Sequence, residues 1–360
     1  MNGENISELF KSSIEEAIKD RGRINIIIAG RTGVGKSTLI NAIFQKDIAK
    51  TGQGRPVSMN TREIKHSDIP LTIFDTRGLE MDAFKETLSE LESLVIDRSN
   101  EVDSNRHIHV AWLCIQEDGR RVEDAEIELH NMLTEHMPLL TIITKARSDM
   151  NFQSEVTRLL PKAKNTIRVR SIPEKFDDGQ SLATMGLENL VYATSELIPE
   201  GQHKAFSASQ KACIKYKSQQ AEKIVVKATT AAGLAGASPI PFSDAAILAP
   251  IQVGMLVGIS SVFGLGISGS FLSTLVSSAL GVSGTSLVGR AIASNLLKMI
   301  PGCGSLGGGA ISAATAITLT AALGKAYTAV IENIFEANPD SVPNAEEIAE
   351  KLKEQMRLKS

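Results

Sequence analysis

A chain of 360 residues exceeds what one compact core accommodates, so two domains are expected. Apolar residues make up 42 % and aromatics only 4 %, which calls for aliphatic cores and leaves no aromatic platform for stacking bases. The net charge of −3 excludes a broadly basic DNA-binding protein, and no DNA partner is expected.

That charge is unevenly spread. Residues 1–200 carry 25 Lys and Arg against 32 Asp and Glu, whereas residues 201–360 carry 13 against 9. Six lysines, Lys204, Lys211, Lys215, Lys217, Lys223 and Lys227, face the single acid Glu222, as a solvated helix face or a patch for anionic lipid or RNA. Cys114, Cys213 and Cys303 lie far apart without metal-ligand spacing and read as small apolar core residues. The N-terminus shows no basic stub followed by an apolar run, so a cytoplasmic location is expected, with membrane association left open.

In chain order, Ile6, Leu9, Phe10, Ile14, Ala17 and Ile18 recur at helical spacing, predicting a helix over 4–20 that packs on the outside of the domain after it. Residues 24–29 are an apolar strand. Gly30-x-x-x-x-Gly35-Lys36-Ser37 follows, and Leu39, Ile40 and Ile43 then continue as an amphipathic helix. Strand, glycine turn and helix in that order form a phosphate-binding loop. The glycines let backbone N–H groups of Gly30, Arg31, Thr32, Gly33, Val34, Gly35 and Thr38 curl inward, and the helix N-terminus adds its positive end. Lys36 would reach the β- and γ-phosphates of a nucleoside triphosphate, and Ser37 would ligate Mg²⁺.

Residues 71–74 read as a strand ending in Asp75-x-x-Gly78, 39 residues beyond Lys36. Asp75 would hold Mg²⁺ through a water, and the Gly78 N–H would sense the γ-phosphate. Between them, residues 52–61 are polar and glycine-rich, suited to a mobile switch whose hydroxyl completes the Mg²⁺ shell. Ser58 and Thr61 compete for that role, and Pro56-Val57 favours Ser58. Helices are predicted over 82–97, 122–135 and 187–197, and strands over 108–115, 139–143 and 166–169. Thr144-Lys145 stands where a base-recognition loop belongs. The position expected to carry a base-reading Asp is Arg147, which cannot accept hydrogen bonds, and Asp149 lies two residues later. Ser171 sits where a second base-contacting loop belongs. The six histidines suggest no ligand cluster, and no nucleophile–base set accompanies them.

Residues 24–200 resemble the Era/TrmE-like branch of the translation-factor-type GTPases, through Gly30 to Thr38 with Leu39-Ile40-Asn41-Ala42, Asp75 to Gly78, and Thr144-Lys145. The resemblance implies GTP and GDP as ligands, Mg²⁺ as cofactor and slow intrinsic hydrolysis. Two departures stand out: Arg77 replaces a proline, and Arg147 replaces the base-reading Asp. Leu79 stands where Ras-like proteins carry the glutamine that orients water, so potassium, a homodimer partner or an activator would have to assist.

Beyond Gly201 the texture changes to Ala, Gly, Ser, Thr, Leu, Ile and Val, with no charge across 245–289 or 299–324. Gly236-Ala237-Ser238-Pro239 with Ile251-Gln252-Val253-Gly254, and Leu297-Lys298-Met299-Ile300-Pro301 with Ala322-Leu323-Gly324, resemble a GTPase-associated domain of unknown function that is considered membrane-associated. Residues 245–267 would make a helix of about 35 Å, against a hydrocarbon core of roughly 30 Å. Pro250, Gln252, Ser260 and Ser261 suit the interior of a bundle equally well.

The expected architecture is thus an α/β P-loop NTPase G domain over 1–200, with a mostly parallel sheet and helices on both faces. An all-α hydrophobic domain over 201–340 and a charged amphipathic tail helix over 341–360 follow. The expected function is a GTPase switch governing a membrane surface or partner. The alternative is a soluble GTP-dependent assembly factor or scaffold.

Overall fold

The computed structural model describes residues 3–45, 53–56, 61–66, 68–76, 84–236, 244–280 and 313–357. It separates into two compact units, 22–213 and a second built from 1–21 with 214–360.

The first unit is organised by a seven-stranded sheet. Its strands are β1 (Ile24–Ala29), β2 (Gln53–Pro56), β3 (Thr61–Lys65), β4 (Leu71–Thr76), β5 (Val110–Gln116), β6 (Leu139–Thr144) and β7 (Asn165–Arg168), in the spatial order β2-β3-β4-β1-β5-β6-β7. From β4 to β7 every pairing is parallel, while β2–β3 and β3–β4 are antiparallel. β1, β4, β5 and β6 are buried almost throughout, Asp75 and the threonines of β4 and β6 included, so neither face leaves a solvent side to demand alternation. The first unit's helices include α2 (Lys36–Ile43), α3 (Phe84–Ser99), α4 (Asp124–His136), α5 (Phe152–Leu159), α6 (Leu187–Leu197) and α7 (His203–Ser209), with a β8–β9 hairpin (Glu174–Lys175 and Ser181–Leu182) between β7 and α6.

Trp112, fully buried on β5, stacks on Phe44 at the end of α2 with ring centroids 5.7 Å apart, and its indole N–H donates to Thr194 Oγ1 on α6 at 3.2 Å. The chain after α7 returns to the same place. Gln45 N donates to Ser209 O and Lys211 N to Ile43 O, which carries this unit on to Cys213.

The second unit is entirely helical among the described residues: α1 (Gly3–Arg21), α8 (Ile214–Gly236), α9 (Asp244–Phe263), α10 (Gly269–Leu280), α11 (Ala313–Ala337) and α12 (Ala345–Arg357). α9 is buried on nearly every side from Gln252 to Phe263 and forms the centre of the bundle. Gly258 approaches α8 so closely that a Cβ there would lie 3.1 Å from Ile224, and a Cβ on Gly324 would meet Val225 at 2.7 Å and Met255 Sδ at 2.8 Å. Buried polar groups on α9 find partners on α11: Ser260 Oγ and the Tyr327 hydroxyl lie 2.7 Å apart, and Gln252 Nε2 donates to Thr320 Oγ1 at 3.5 Å. Burial raises the Tyr327 phenol above its ordinary value, partly offset by Ser260.

Two expectations are corrected here. α1 groups with the helical unit, where Ile14 and Ala17 pack on the apolar core, because a single amphipathic stripe does not specify which core it joins. Nor do the six lysines share one helix face. Lys204 and Lys211 belong to the first unit, and Lys217 is fully buried on the inner face of α8, donating to Phe263 O at 3.2 Å. Only Lys215, Lys223 and Lys227 share the exposed face, as the helical repeat requires.

Candidate functional site

At the C-terminal end of β1 the chain turns through three glycines with positive φ, Gly30 at 142°, Gly33 at 80° and Gly35 at 101°. Gly30 is required twice over, since a Cβ there would also lie 2.4 Å from Cys114 O on β5. Lys36 opens α2 and is buried, its ammonium donating to Gly30 O at 2.6 Å and Arg31 O at 3.1 Å. It therefore closes the loop on itself, inside the glycine turn. Ser37 and Thr38 follow, exposed, at the N-terminus of α2. Arg31 contributes its backbone to the loop, while its guanidinium pairs with Glu123 at 3.0 Å; Arg121 meets the same carboxylate at 2.6 Å. A cleft of ≈ 300 Å³ lined by Arg31, Thr32, Val34, Gln116, Gly119 and Arg121 lies alongside.

Asp75 is buried at the end of β4, and the β1–β4 register sets it beside Ile28, two residues before Gly30. Thr61, also buried, starts β3 opposite Thr76. Residues 52–61, expected as a mobile switch, thus contain β2 and the start of β3; Ser58 and Gly78, with Arg77 and Leu79, lie outside the described residues. Sequence reading missed β3 because Thr61–Lys65 is a polar string with Ile64 as its one apolar residue and no run to mark a strand.

The loop after β6, the expected base-side loop, is held by residues that sequence reading did not single out. Glu117, just beyond β5, is 1 % exposed; its Oε2 accepts from Arg147 N at 2.5 Å and Ser148 N at 2.8 Å, and its Oε1 accepts from Arg168 Nε at 2.7 Å. Burial pushes the Glu117 carboxyl up, but the Arg147 and Ser148 N–H groups and the Arg168 guanidinium outweigh it and leave it below the ordinary carboxylate range. Arg120, in the left-handed region at φ 50°, donates to Asp149 O at 2.5 Å and also to Ser148 O. The acid-glycine sequence Glu117-Asp118-Gly119 after a buried strand was the available signal.

Thr144 does not reach outward. Its hydroxyl lies 2.5 Å from Val34 O and 3.2 Å from Ile115 O, tying the base-side loop to the phosphate loop. Lys145 is exposed with φ 54°, its ammonium 3.2 Å from Gln116 Oε1. Asp149 accepts from Gln153 N at 2.8 Å, capping α5, and lies 3.7 Å from Arg168 Nε. Ser171 follows the Arg170–Met185 bridge and is half-buried. Cys114 and Cys213 are buried, the Cys114 thiol pushed up to about 12 by burial; Cys303 lies outside the described residues.

Strand order, glycine turn, buried lysine and strand-end aspartate together define a phosphate-loop nucleotide-binding protein. Residues 25–145 match the family described as 50S ribosome-binding GTPase, and residues 202–357 match a domain of unknown function (DUF697). The chain carries a GTPase G domain followed by that helical domain.

Among curated relatives, the tRNA modification GTPase MnmE of Desulfotalea psychrophila is 29 % identical over 133 residues, which is 35 % of this chain and 27 % of the relative. The same enzyme of Bordetella petrii is 30 % identical over 146 residues, 39 % of this chain and 30 % of the relative. The match therefore spans less than a third of either relative. Among solved structures, Toc33 from Arabidopsis thaliana in complex with Mg²⁺ and GMPPNP is 17 % identical with a TM-score of 0.34, covering 52 % of this chain and 91 % of that one. The G domain of the T. maritima FeoB iron transporter is 15 % identical with a TM-score of 0.30, covering 49 % and 98 %.

Proposed function

We propose that this GTPase is a Mg²⁺-dependent nucleotide switch whose helical unit engages an anionic membrane surface. The carrying observation is the phosphate loop, with Lys36 buried inside its glycine turn and Asp75 brought beside it by the β1–β4 register. In this reading Gly30 to Thr38 cradle the phosphates, Thr144 braces the loop, and Lys145 and Ser171 flank the base. A hydroxyl donor and a carboxylate on adjacent elements suit a hard divalent cation, so Ser37 and Asp75 would hold Mg²⁺, with Ser58 or Thr61 joining in the triphosphate state. When bound, the metal supplies charge neutralisation at the β- and γ-phosphates. Hydrolysis is slow because Leu79 cannot orient water, and a second copy of the chain or an activator accelerates it.

The membrane part of the reading is supported by the outer face of α8. There Lys215, Lys223 and Lys227 are exposed with Val226 (59 %) and Leu234 (73 %), and Ile317 of α11 packs beside Gly233 while remaining 41 % exposed. Basic and apolar groups on one face suit an anionic interface, at about 1 kcal/mol per lysine. α11 is the one described helix long and apolar enough to cross a bilayer, and half of its apolar window is buried within the protein.

Flotation of the full chain with anionic and neutral liposomes, loaded with GDP or a non-hydrolysable GTP analogue, tests this. Flotation with anionic vesicles that differs between nucleotides is expected. A chain that stays in solution with both vesicle types in both states favours the other reading, a soluble GTP-dependent assembly factor or scaffold, to which the nearly all-round burial of α9 is suited.

A further inference from the structure

Arg147 lies on the loop after β6, two residues beyond Lys145. Its guanidinium is not loose. Nε donates to Glu174 Oε2 at 2.7 Å, a second N–H donates to Glu174 Oε1, and Asp118 Oδ1 lies 3.6 Å away. Glu174 begins the β8–β9 hairpin three residues after Ser171. The hairpin is itself stapled to the base-side loop by Arg170, which donates from Nε to Ala146 O at 2.8 Å and from a terminal nitrogen to Ala183 O at 2.5 Å. The Glu174 side chain is 26 % exposed, so its carboxylate keeps access to a ligand. Of the other nearby acids, Glu117 is buried beneath the loop, Asp149 caps α5 beside Arg168, and Asp118 is half exposed and meets Arg147 only at 3.6 Å, outside hydrogen-bond range.

We propose that Glu174, held in place by Arg147, is the acceptor that reads the N1–H and 2-amino edge of guanine. Arg147 is the positioning residue, its planar fork fixing both carboxylate oxygens while each keeps a lone pair. The missing aspartate is thereby replaced from a different segment of the chain. The Arg147 hydrogen bond also lowers the Glu174 carboxyl from its ordinary value, so the acceptor stays ionised at neutral pH. This inference rests on the reading of the chain as a guanine-nucleotide-binding protein.

The test is displacement of a fluorescent GDP analogue from the full chain by GDP, IDP, XDP and ADP. A charged acceptor reading two donors makes wild type prefer GDP to IDP and ADP by about tenfold or more. In Glu174→Gln, the new amide offers a donor to the xanthine 2-oxo group, so the GDP:XDP affinity ratio falls by about tenfold or more. Arg147→Ala lowers the GDP:ADP ratio, and Arg147→Lys restores it only in part, because a point charge cannot reproduce the fork. Thermal unfolding of each variant establishes that it is folded, and ratios between nucleotides are insensitive to a merely structural weakening. If Asp149→Asn shifts the GDP:XDP ratio while folded Glu174→Gln does not, Asp149 is the reader and the inference is overturned. Equal binding of GDP and ADP by wild type overturns it as well but leaves the phosphate-loop assignment standing. Binding of none of the four removes the guanine-nucleotide reading, and this inference with it.

Discussion

The Arg168 guanidinium on β7 lies 2.7 Å from the Glu117 carboxylate beyond β5, across the intervening strand β6. With the Arg147 and Ser148 N–H groups on its other oxygen, Glu117 joins three segments beneath the base-side loop. Glu117→Ala leaves the Arg168 guanidinium without this partner and should destabilise the first unit by about 3 kcal/mol, the lower end for a broken buried pair, because Arg168 keeps some solvent. Since Glu117 titrates below the ordinary carboxylate value when folded, its contribution is complete above the unfolded value and is lost as pH falls through the lower, folded one. Urea unfolding of wild type and variant should therefore differ at pH 7 and converge as the pH is lowered through the folded Glu117 value. A gap that stays the same across the acid range would show that packing rather than charge carries the effect.

Lys36→Ala removes the cation from the centre of the glycine turn and should abolish tight triphosphate binding, a loss that calorimetry reads directly. Ser37→Asn should weaken the Mg²⁺–GTP state more than GDP; an equal loss of both speaks against the metal role of Ser37.

Thr144→Val keeps shape and removes the hydroxyl that meets Val34 O and Ile115 O. The expected cost is about 1–2 kcal/mol in stability, accompanied by faster nucleotide release measured by stopped-flow fluorescence. Unchanged release kinetics would separate Thr144 from the phosphate loop.

Gly324→Val drives a branched side chain into Val225 and Met255 at the crossing of α8, α9 and α11. Overpacking of this kind costs about 1–3 kcal/mol. It should lower the melting of the helical unit while leaving GDP affinity intact, so differential scanning calorimetry and nucleotide binding read the two units separately. Loss of GDP binding in the folded variant would show that the units are energetically coupled.

Hydrolysis by the dilute chain alone should remain within a few decades of ~10⁻⁴ s⁻¹, the scale of an unassisted small GTPase. Phosphate release measured across a range of protein concentrations checks this. A rate that climbs with concentration points to a second copy as the activator, whereas a fast rate at high dilution reveals a catalytic group within the chain.

Local pattern by itself determined the phosphate loop, because strand, glycine turn and helix are contiguous and each is encoded by residues beside one another: the apolar run Ile26-Ile27-Ile28, the positive-φ glycines Gly30 and Gly35, and the period of Leu39, Ile40 and Ile43. The buried parallel strands β5 and β6 were legible for the same reason, as was α6 with the limits Leu187–Leu197. What the tertiary structure alone decided concerns groups distant in sequence. Whether α1 joins the sheet or the helical bundle depends on which core offers a matching groove, and an amphipathic stripe carries no such address. Lys217 and Lys223 look alike in a list of lysines; the rotation of α8 buries one and exposes the other. The base-side loop is held by Glu117, Arg168 and Arg120, and its Arg147 is clasped by Glu174, 27 residues away. Charges separated that far reveal their pairing only once the sheet has set their strands side by side.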